Sequence, residues 1–280
     1  MTNRLFIFGL GYSGLEIAKL AKDAGWSVAG TVTGADKAER LIAEGIETHV
    51  FDGAAALAAE ATHVLCTIAP GSTGDPVLRA CADLLRRARW LGYLSTTGIY
   101  GDHGGGWVDE TTTPVPDQPR SLSRLAAERA WQALGATAFR LPGIYGPGRS
   151  AIDKVKAGTA RRIDKPGQVF SRIHVHDIAT AVLAAMEHPS RGALYNVVDD
   201  LPASNSDVIA YACELLGLPV PPAIPWDEVA PTMSPMARSF YEENRRVKND
   251  RLKRELGVAL RYPTYREGLR AIAASHSSLR

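Results

Sequence analysis

"RLFIFGLGYSGLEIAKLAKDAG", residues 4–25, decides how the rest of the chain is read. "RLFIF" is a short apolar run that ends at glycine, as a buried strand does. Ile17, Leu20, Ala21 and Ala24 then recur at helical spacing, and Gly25 is a natural stop. Between the two stands Gly9-Leu10-Gly11-Tyr12-Ser13-Gly14, the pattern G-x-G-x-x-G. Alone the pattern is weak; its place after a strand and at the opening of a helix gives it meaning. Gly9 permits the tight turn, Gly11 lets a pyrophosphate approach the backbone, and Gly14 lets helix and strand pack closely. Phosphates would then meet free N–H groups at a helix N-terminus, where Tyr12 and Ser13 lie. The competing reading is a glycine-rich turn without a ligand, but three glycines so placed cost stability without a reason.

Outward from this stretch the alternation continues. "WSVAGTV" (26–32), "THVF" (48–51), "ATHVLCTIA" (61–69), "WLGYLST" (90–96) and "ATAFRLP" (136–142) read as strands. "AERLIAEG" (38–45), "DPVLRACADLLRRA" (75–88) and "SLSRLAAERAWQAL" (121–134) read as helices. Strands and helices in alternation with short joints imply parallel strands and right-handed crossovers, hence an α/β doubly wound parallel sheet. Beyond about residue 145 the alternation loosens. "SDVIAYACELLG" (206–217) and "VKNDRLKRELG" (247–257) read as helices, and "PVPPAIPWDEVAPTMSP" (219–235) as a proline-rich connection. The expected organisation is a dinucleotide-binding unit over 1–145, its sheet completed by segments within 172–200, and a small lobe over 146–280.

The bulk numbers agree with one large α/β unit plus an appendage. The chain has 280 residues, 45% of them apolar, and a net charge of +2. That surplus is too mild to argue for nucleic acid. The most basic stretch, "RRVKNDRLKRELG" (245–257), has Asp and Glu interspersed and reads as a solvated helix face. Cys66, Cys81 and Cys213 are odd in number and lack zinc spacing, so no metal site is expected and a reducing cytoplasm fits. No leader peptide and no apolar run of spanning length appear, so no membrane association is expected.

The dinucleotide is read from the end of the second strand. A carboxylate there would hold the ribose hydroxyls of NAD and repel a 2′-phosphate. This chain has Gly30-Thr31-Val32-Thr33-Gly34 instead, with Lys37 and Arg40 just beyond. NADP is favoured over NAD, with Thr33 as hydrogen-bond donor; the alternative is that Lys37 and Arg40 are exposed helix residues. Asp52, after the third strand, either contacts the adenine amino group or caps the helix "GAAALAAEA".

Five further segments extend the pattern: "LSTTGIYGD" (94–102), "WVDETTTPVP" (107–116), "FRLPGIYGPG" (139–148), "RIHVHDIATAV" (172–182) and "LYNVVDD" (194–200). With the glycine loop, they make the chain resemble the extended short-chain dehydrogenase/reductase family, the NAD(P)-dependent epimerase/dehydratase group, nearly end to end. The resemblance implies an N-terminal Rossmann domain and a small C-terminal substrate lobe. It implies activities among nucleotide-sugar epimerases, dehydratases and carbonyl reductases. It implies that Thr96, with Thr97 beside it, orients a substrate oxygen. Ala69 and Pro70 would lie near the cofactor ribose, and Pro142 and Gly143 on the nicotinamide side. His174 would border the substrate lobe. Arg149 and the pair Arg161–Arg162 stand where relatives hold an anionic or nucleotide-linked substrate, or are ordinary solvated arginines. The helix over 121–134 would supply a homodimer contact.

The departure lies in the catalytic Tyr-x-x-x-Lys. Counting back from Glu128 puts Arg120 at the Tyr place and Arg124 at the Lys place. No Tyr occurs between Tyr100 and Tyr145, and no Lys between Lys37 and Lys154. Hydride transfer must be matched by a proton on oxygen, from a group that titrates near working pH. A guanidinium does not. Arg120 can still polarise an oxygen, and Arg124 can still hold ribose hydroxyls. Ser121 and Ser123 are hydroxyl stand-ins or helix-start residues. His174 and His176 share a face of an extended segment without a third metal ligand, and Asp177 reads as the N-cap of the helix that follows. Two functions remain: an NADP-dependent oxidoreductase or epimerase-like enzyme with altered proton transfer, or an NAD(P)-sensing module without catalysis.

Overall fold

The computed structural model describes residues 3–277. Chain order opens with β1 (Arg4–Phe8), α1 (Tyr12–Asp23), β2 (Ser27–Val32), α2 (Ala35–Ala43) and β3 (Glu47–Val50). The short α3 (Ala55–Ala58), β4 (His63–Cys66), α4 (Pro76–Leu85) and β5 (Trp90–Thr96) follow. Next come β6 (Trp107–Val108), α5 (Pro119–Ala133), β7 (Thr137–Leu141), β8 (Gly143–Tyr145) and α6 (Ala151–Lys156). Then come β9 (Arg162–Asp164), β10 (Arg172–His174), α7 (Val175–Glu187) and β11 (Leu194–Asn196). The remainder is α8 (Asn205–Leu216), β12 (Ala223–Pro225), α9 (Trp226–Val229), α10 (Pro235–Glu242), β13 (Arg246–Val247), α11 (Asp250–Leu256) and α12 (Tyr265–Ser277).

Seven strands form one sheet in the order β11-β7-β5-β4-β1-β2-β3, every neighbouring pair parallel. The winding direction reverses between β1 and β4. In such a sheet the carboxyl ends of the strands at the reversal open a crevice, the usual ligand place. The last strand, β11, comes from far along the chain and pairs Leu194–Asn196 with Ala138–Arg140.

Both faces of the sheet are covered, which is why its strands read as near-continuous apolar runs. Leu5 and Ile7 of β1 pack with Ile17, Ala18 and Ala21 of α1 and Ile178 and Val182 of α7. Phe6 and Phe8 turn the other way, onto Val77, Cys81 and Leu85 of α4 and Trp131 of α5. Each large side chain buried this way contributes about 1.5–3 kcal/mol. A separate cluster joins Tyr145, Ile152 of α6, Tyr211 and Ala212 of α8, and Leu269 and Ile272 of α12.

Three local expectations are corrected. The proline-rich stretch 219–235 is not a bare connection: it carries β12, which pairs with β9, and then α9. The helix expected over 247–257 begins only at Asp250, because Arg246 and Val247 pair with Trp107 and Val108. The helix after Asp52 shrinks to Ala55–Ala58 with Ala54 at its N-cap and no side-chain cap, so Asp52 does not cap it. Cys66, Cys81 and Cys213 are buried free thiols. Among the described residues, no helix is long and apolar enough to cross a membrane.

Candidate functional site

The glycine loop sits where β1 meets α1, at the reversal of the sheet. Gly9 has φ 97°, in the left-handed region that glycine adopts without strain. A Cβ on Gly14 would stand 2.2 Å from the Gly9 carbonyl oxygen, so only glycine lets the helix approach the loop this closely. A Cβ on Gly11 would meet nothing within 4 Å, so the loop's front is open. Gly11 is the N-cap of α1 without a side-chain cap, and the first turn holds no acidic residue. The N–H groups of Tyr12, Ser13 and Gly14 therefore have no intrahelical partner, and the turn itself carries no negative side chain, the nearest on the helix being Glu16. An open front, free N–H groups and a first turn without an acidic residue fit a dinucleotide diphosphate.

Two threonines that no local motif singles out pin this loop. Thr31 on β2 accepts from the Gly9 N–H at 3.0 Å through its hydroxyl, and its carbonyl accepts from the Leu10 N–H at 2.7 Å. Thr67, just past β4, donates to the Gly9 carbonyl at 2.6 Å. The available signal was a polar residue inside or next to a buried strand, since a buried hydroxyl requires a partner. Ala69 and Pro70 follow two residues beyond, exposed and half-buried respectively.

On the β2 side, Lys37 donates from Nζ to the Leu10 carbonyl at 2.8 Å, which holds its charge against the glycine loop. Thr33 is exposed just past the end of β2, and Arg40 is exposed on α2. Asp52 is exposed beyond β3.

The strand-end threonines come from β5. Thr96 accepts from the Gly98 N–H at 3.1 Å and caps a 3₁₀ turn over Thr97–Tyr100. Thr97 is buried and Thr96 half-buried. A Cβ on Gly98 would lie 3.1 Å from Ser121 Oγ and 3.3 Å from Thr96 Oγ1, so the two hydroxyls flank one spot. Ser121 is not a capping residue, because α5 begins at Pro119 with Gln118 as N-cap and no side-chain cap. Ser123 donates to the Pro119 carbonyl instead of accepting from a free N–H.

The two arginines part company. Arg124 donates from Nη1 to the Leu94 carbonyl at 2.8 Å, beside the end of β5. Arg120 is exposed and engages α10: its Nη1 is 3.1 Å from Met236 Sδ, and its Cζ is 4.3 Å from the Phe240 ring centroid. Tyr100, the tyrosine of "IYG", is fully buried; it donates to Asn196 Oδ1 at 2.8 Å and accepts from Arg140 at the same distance. Burial raises its phenol pKa, against the pull of Arg140. Burial also pushes Tyr93 far up, and its ring stacks on Trp131.

On the far side of the loop, Pro142 is half-buried and Gly143 is exposed at the start of β8, which pairs with β10. His174 is buried and is itself the N-cap of α7, its Nδ1 accepting from the His176 N–H at 3.2 Å. Burial first, then the charges of His176 and Arg261, hold its pKa down to about 4. Asp177 is therefore not the N-cap; it lies inside the first turn and accepts from the N–H groups of Arg261 and Tyr262 at 2.7 and 3.1 Å. His176 Nδ1 stands 3.4 Å from Glu16 Oε1. Among the described residues, no three His, Cys, Asp or Glu side chains group as metal ligands. Arg162 is tied to Ser206 and the Pro221 carbonyl, whereas Arg149 is exposed with its Cζ 5.6 Å from the Tyr12 ring centroid.

This geometry has counterparts among known proteins. The model of the "NAD dependent epimerase/dehydratase family" matches residues 9–198. A functionally unknown conserved protein from Silicibacter pomeroyi DSS has a solved structure that superposes with a TM-score of 0.91. The two share 49% identity over 98% of this chain and 99% of that one. Protein YeeZ of Escherichia coli (strain K12) is 27% identical over 78% of this chain and 85% of its own length. The human epimerase family protein SDR39U1, solved with NADPH, superposes with a TM-score of 0.75 at 17% identity over 97% of this chain and 99% of that one, a likeness of fold.

Proposed function

The chain belongs to the NAD dependent epimerase/dehydratase family, and from that premise we propose that it is an NADP-using oxidoreductase or epimerase-like enzyme with altered proton-transfer residues. The observation that carries the reading is the open, acid-free glycine loop with Lys37 held against it. When bound, the cofactor supplies or accepts a hydride. The chain's own residues do the rest. The loop N–H groups and Lys37 take the phosphates, with Thr33 at the ribose side. Thr96 and Ser121 present two hydroxyls to one substrate oxygen, since Thr96 Oγ1 uses a lone pair on Gly98 and keeps its proton to donate. Arg124 keeps a fixed positive charge beside the end of β5, in reach of ribose hydroxyls. Neither arginine serves as acid or base near neutral pH, so the proton passes through hydroxyls or water rather than a phenol. The substrate is a small carbonyl- or hydroxyl-bearing molecule.

A second reading, a cofactor sensor without catalysis, draws on one observation. Arg120, at the place of the missing tyrosine, is engaged by Met236 and Phe240. Fluorescence titration with NADPH and NADH, then turnover over a panel of carbonyls and nucleotide sugars, separates the two. Turnover abolished by Thr96→Ala supports the enzyme. Tight binding of either nucleotide without turnover on any compound supports the sensor, and absence of binding of both NADPH and NADH refutes both readings.

A further inference from the structure

We infer that Arg149 is a clamp on the cofactor diphosphate, delivered to the glycine loop by the turn that follows β8, and not a substrate ligand. The inference rests on the reading of that loop as an NADP site. Its backbone support is specific. Gly146 and Arg149 exchange both backbone hydrogen bonds, at 3.3 and 3.0 Å, which closes the turn 146–149. Ser150, next in the chain, forms a capping box with Asp153 at the start of α6. The turn is pressed onto the glycine loop: Tyr12 donates from its hydroxyl to the Pro147 carbonyl at 3.1 Å. A Cβ on Gly146 would stand 2.5 Å from that hydroxyl and 2.8 Å from Val175 Cγ1, so glycine is what permits the approach.

The guanidinium is thus held over the ring of the first residue of α1, across 137 positions of sequence, with its Cζ 5.6 Å from the ring centroid. Among the described residues, no carboxylate forms an ion pair with it. Arginine presents a planar fork that matches two phosphate oxygens at once, and lysine does not. A guanidinium that sits beside free helix N–H groups without an ion-pair partner, with Glu16 and Asp153 acting on the same Tyr12 ring from farther off, suits the diphosphate. The 2′-phosphate belongs to the other side of the loop, where Lys37 lies. Binding would then tie the turn at 146–149 to α1, linking the segment after β8 to cofactor occupancy.

Calorimetric titration of the full chain with three probes tests this: NADPH, ADP-ribose (a diphosphate without a 2′-phosphate) and 2′-AMP (the reverse). Arg149→Gln is expected to weaken NADPH and ADP-ribose roughly tenfold or more, the scale of a lost charged hydrogen bond, and to leave 2′-AMP unchanged. Arg149→Lys is expected to fall between wild type and Arg149→Gln. Thermal unfolding of the variants, matched to wild type, guards against a folding defect. Unchanged binding of NADPH and ADP-ribose by Arg149→Gln overturns the clamp and leaves the cofactor reading standing, as does an equal loss for 2′-AMP. Failure of the wild-type chain to bind NADPH or ADP-ribose takes down the cofactor reading, and the clamp with it.

Discussion

Glu128 and Arg140 form a buried ion pair, Oε1 to Nη2 at 2.7 Å, with side chains 1% and 5% exposed. Arg140 Nε also donates to both carboxylate oxygens, and Nη1 to the Tyr100 hydroxyl. The pair locks α5 to β7 and Tyr100 to both. It fixes the rotational setting of α5, and with it where Ser121 and Arg124 stand by the end of β5 and where Arg120 turns toward α10.

Removing one partner leaves the other charge buried without compensation. Glu128→Gln is expected to cost about 3–5 kcal/mol of stability, read from urea or guanidinium unfolding. A cost below about 1 kcal/mol would mean that the pair is dispensable for holding α5.

The glycine loop offers a matched pair of substitutions. Gly14→Ala places a Cβ 2.2 Å from a backbone oxygen, so the loop must move. A loss of about 1–3 kcal/mol in stability is expected, with loss of NADPH binding. Gly11→Ala has open space, and is expected to fold with only a small N-cap penalty while weakening NADPH. Unimpaired NADPH affinity in Gly11→Ala would argue that phosphates do not approach there.

Lys37 tests the choice of dinucleotide. Lys37→Gln is expected to weaken NADPH roughly tenfold and NADH little, measured side by side by fluorescence titration. Equal losses for both would assign Lys37 to holding the Leu10 carbonyl alone.

His174 gives an acid-side signature. Its folded pKa is about 4, below the ordinary value of 6.5. The unfolded chain therefore takes up the proton first, and stability falls as pH drops from about 6.5 to 4, by on the order of 2–3 kcal/mol from this group. His174→Asn keeps a capping side chain for α7 without titrating there. Its stability, measured by denaturant unfolding at several pH values, is expected to lose that part of the slope. An unchanged slope would show that His174 is not the source.

Much of the fold is legible in the residues themselves. Strand β5 spans the quoted "WLGYLST" residue for residue, because an apolar run between a helix and a Thr-Gly turn has one reading. The glycine loop is legible because its three glycines answer a steric demand within a few residues of one another. Thr31 and Thr67 were hidden, since nothing local distinguishes a strand threonine that pins a loop from one that packs. Strand β13 was absorbed into a helix because its partner, β6, lies well over a hundred residues earlier.

By itself the sequence determined the α/β alternation, the strand-to-helix place of the glycine loop, the absence of any tyrosine between Tyr100 and Tyr145, and the lack of a carboxylate at the end of β2. These are matters of periodicity and residue type over short spans, which the chain carries in its order. Only the tertiary structure decided that Tyr100 is locked away by Arg140 and Asn196, that Arg120 meets Phe240, that His174 caps α7, and that Arg149 stands over Tyr12. Most of these join side chains brought together by the path of the backbone through the fold. Even the His174 cap depends on where pairing with β8 ends β10 and lets α7 begin. No local pattern encodes which distant partner a polar group will meet, because that is set when the sheet and its helices pack.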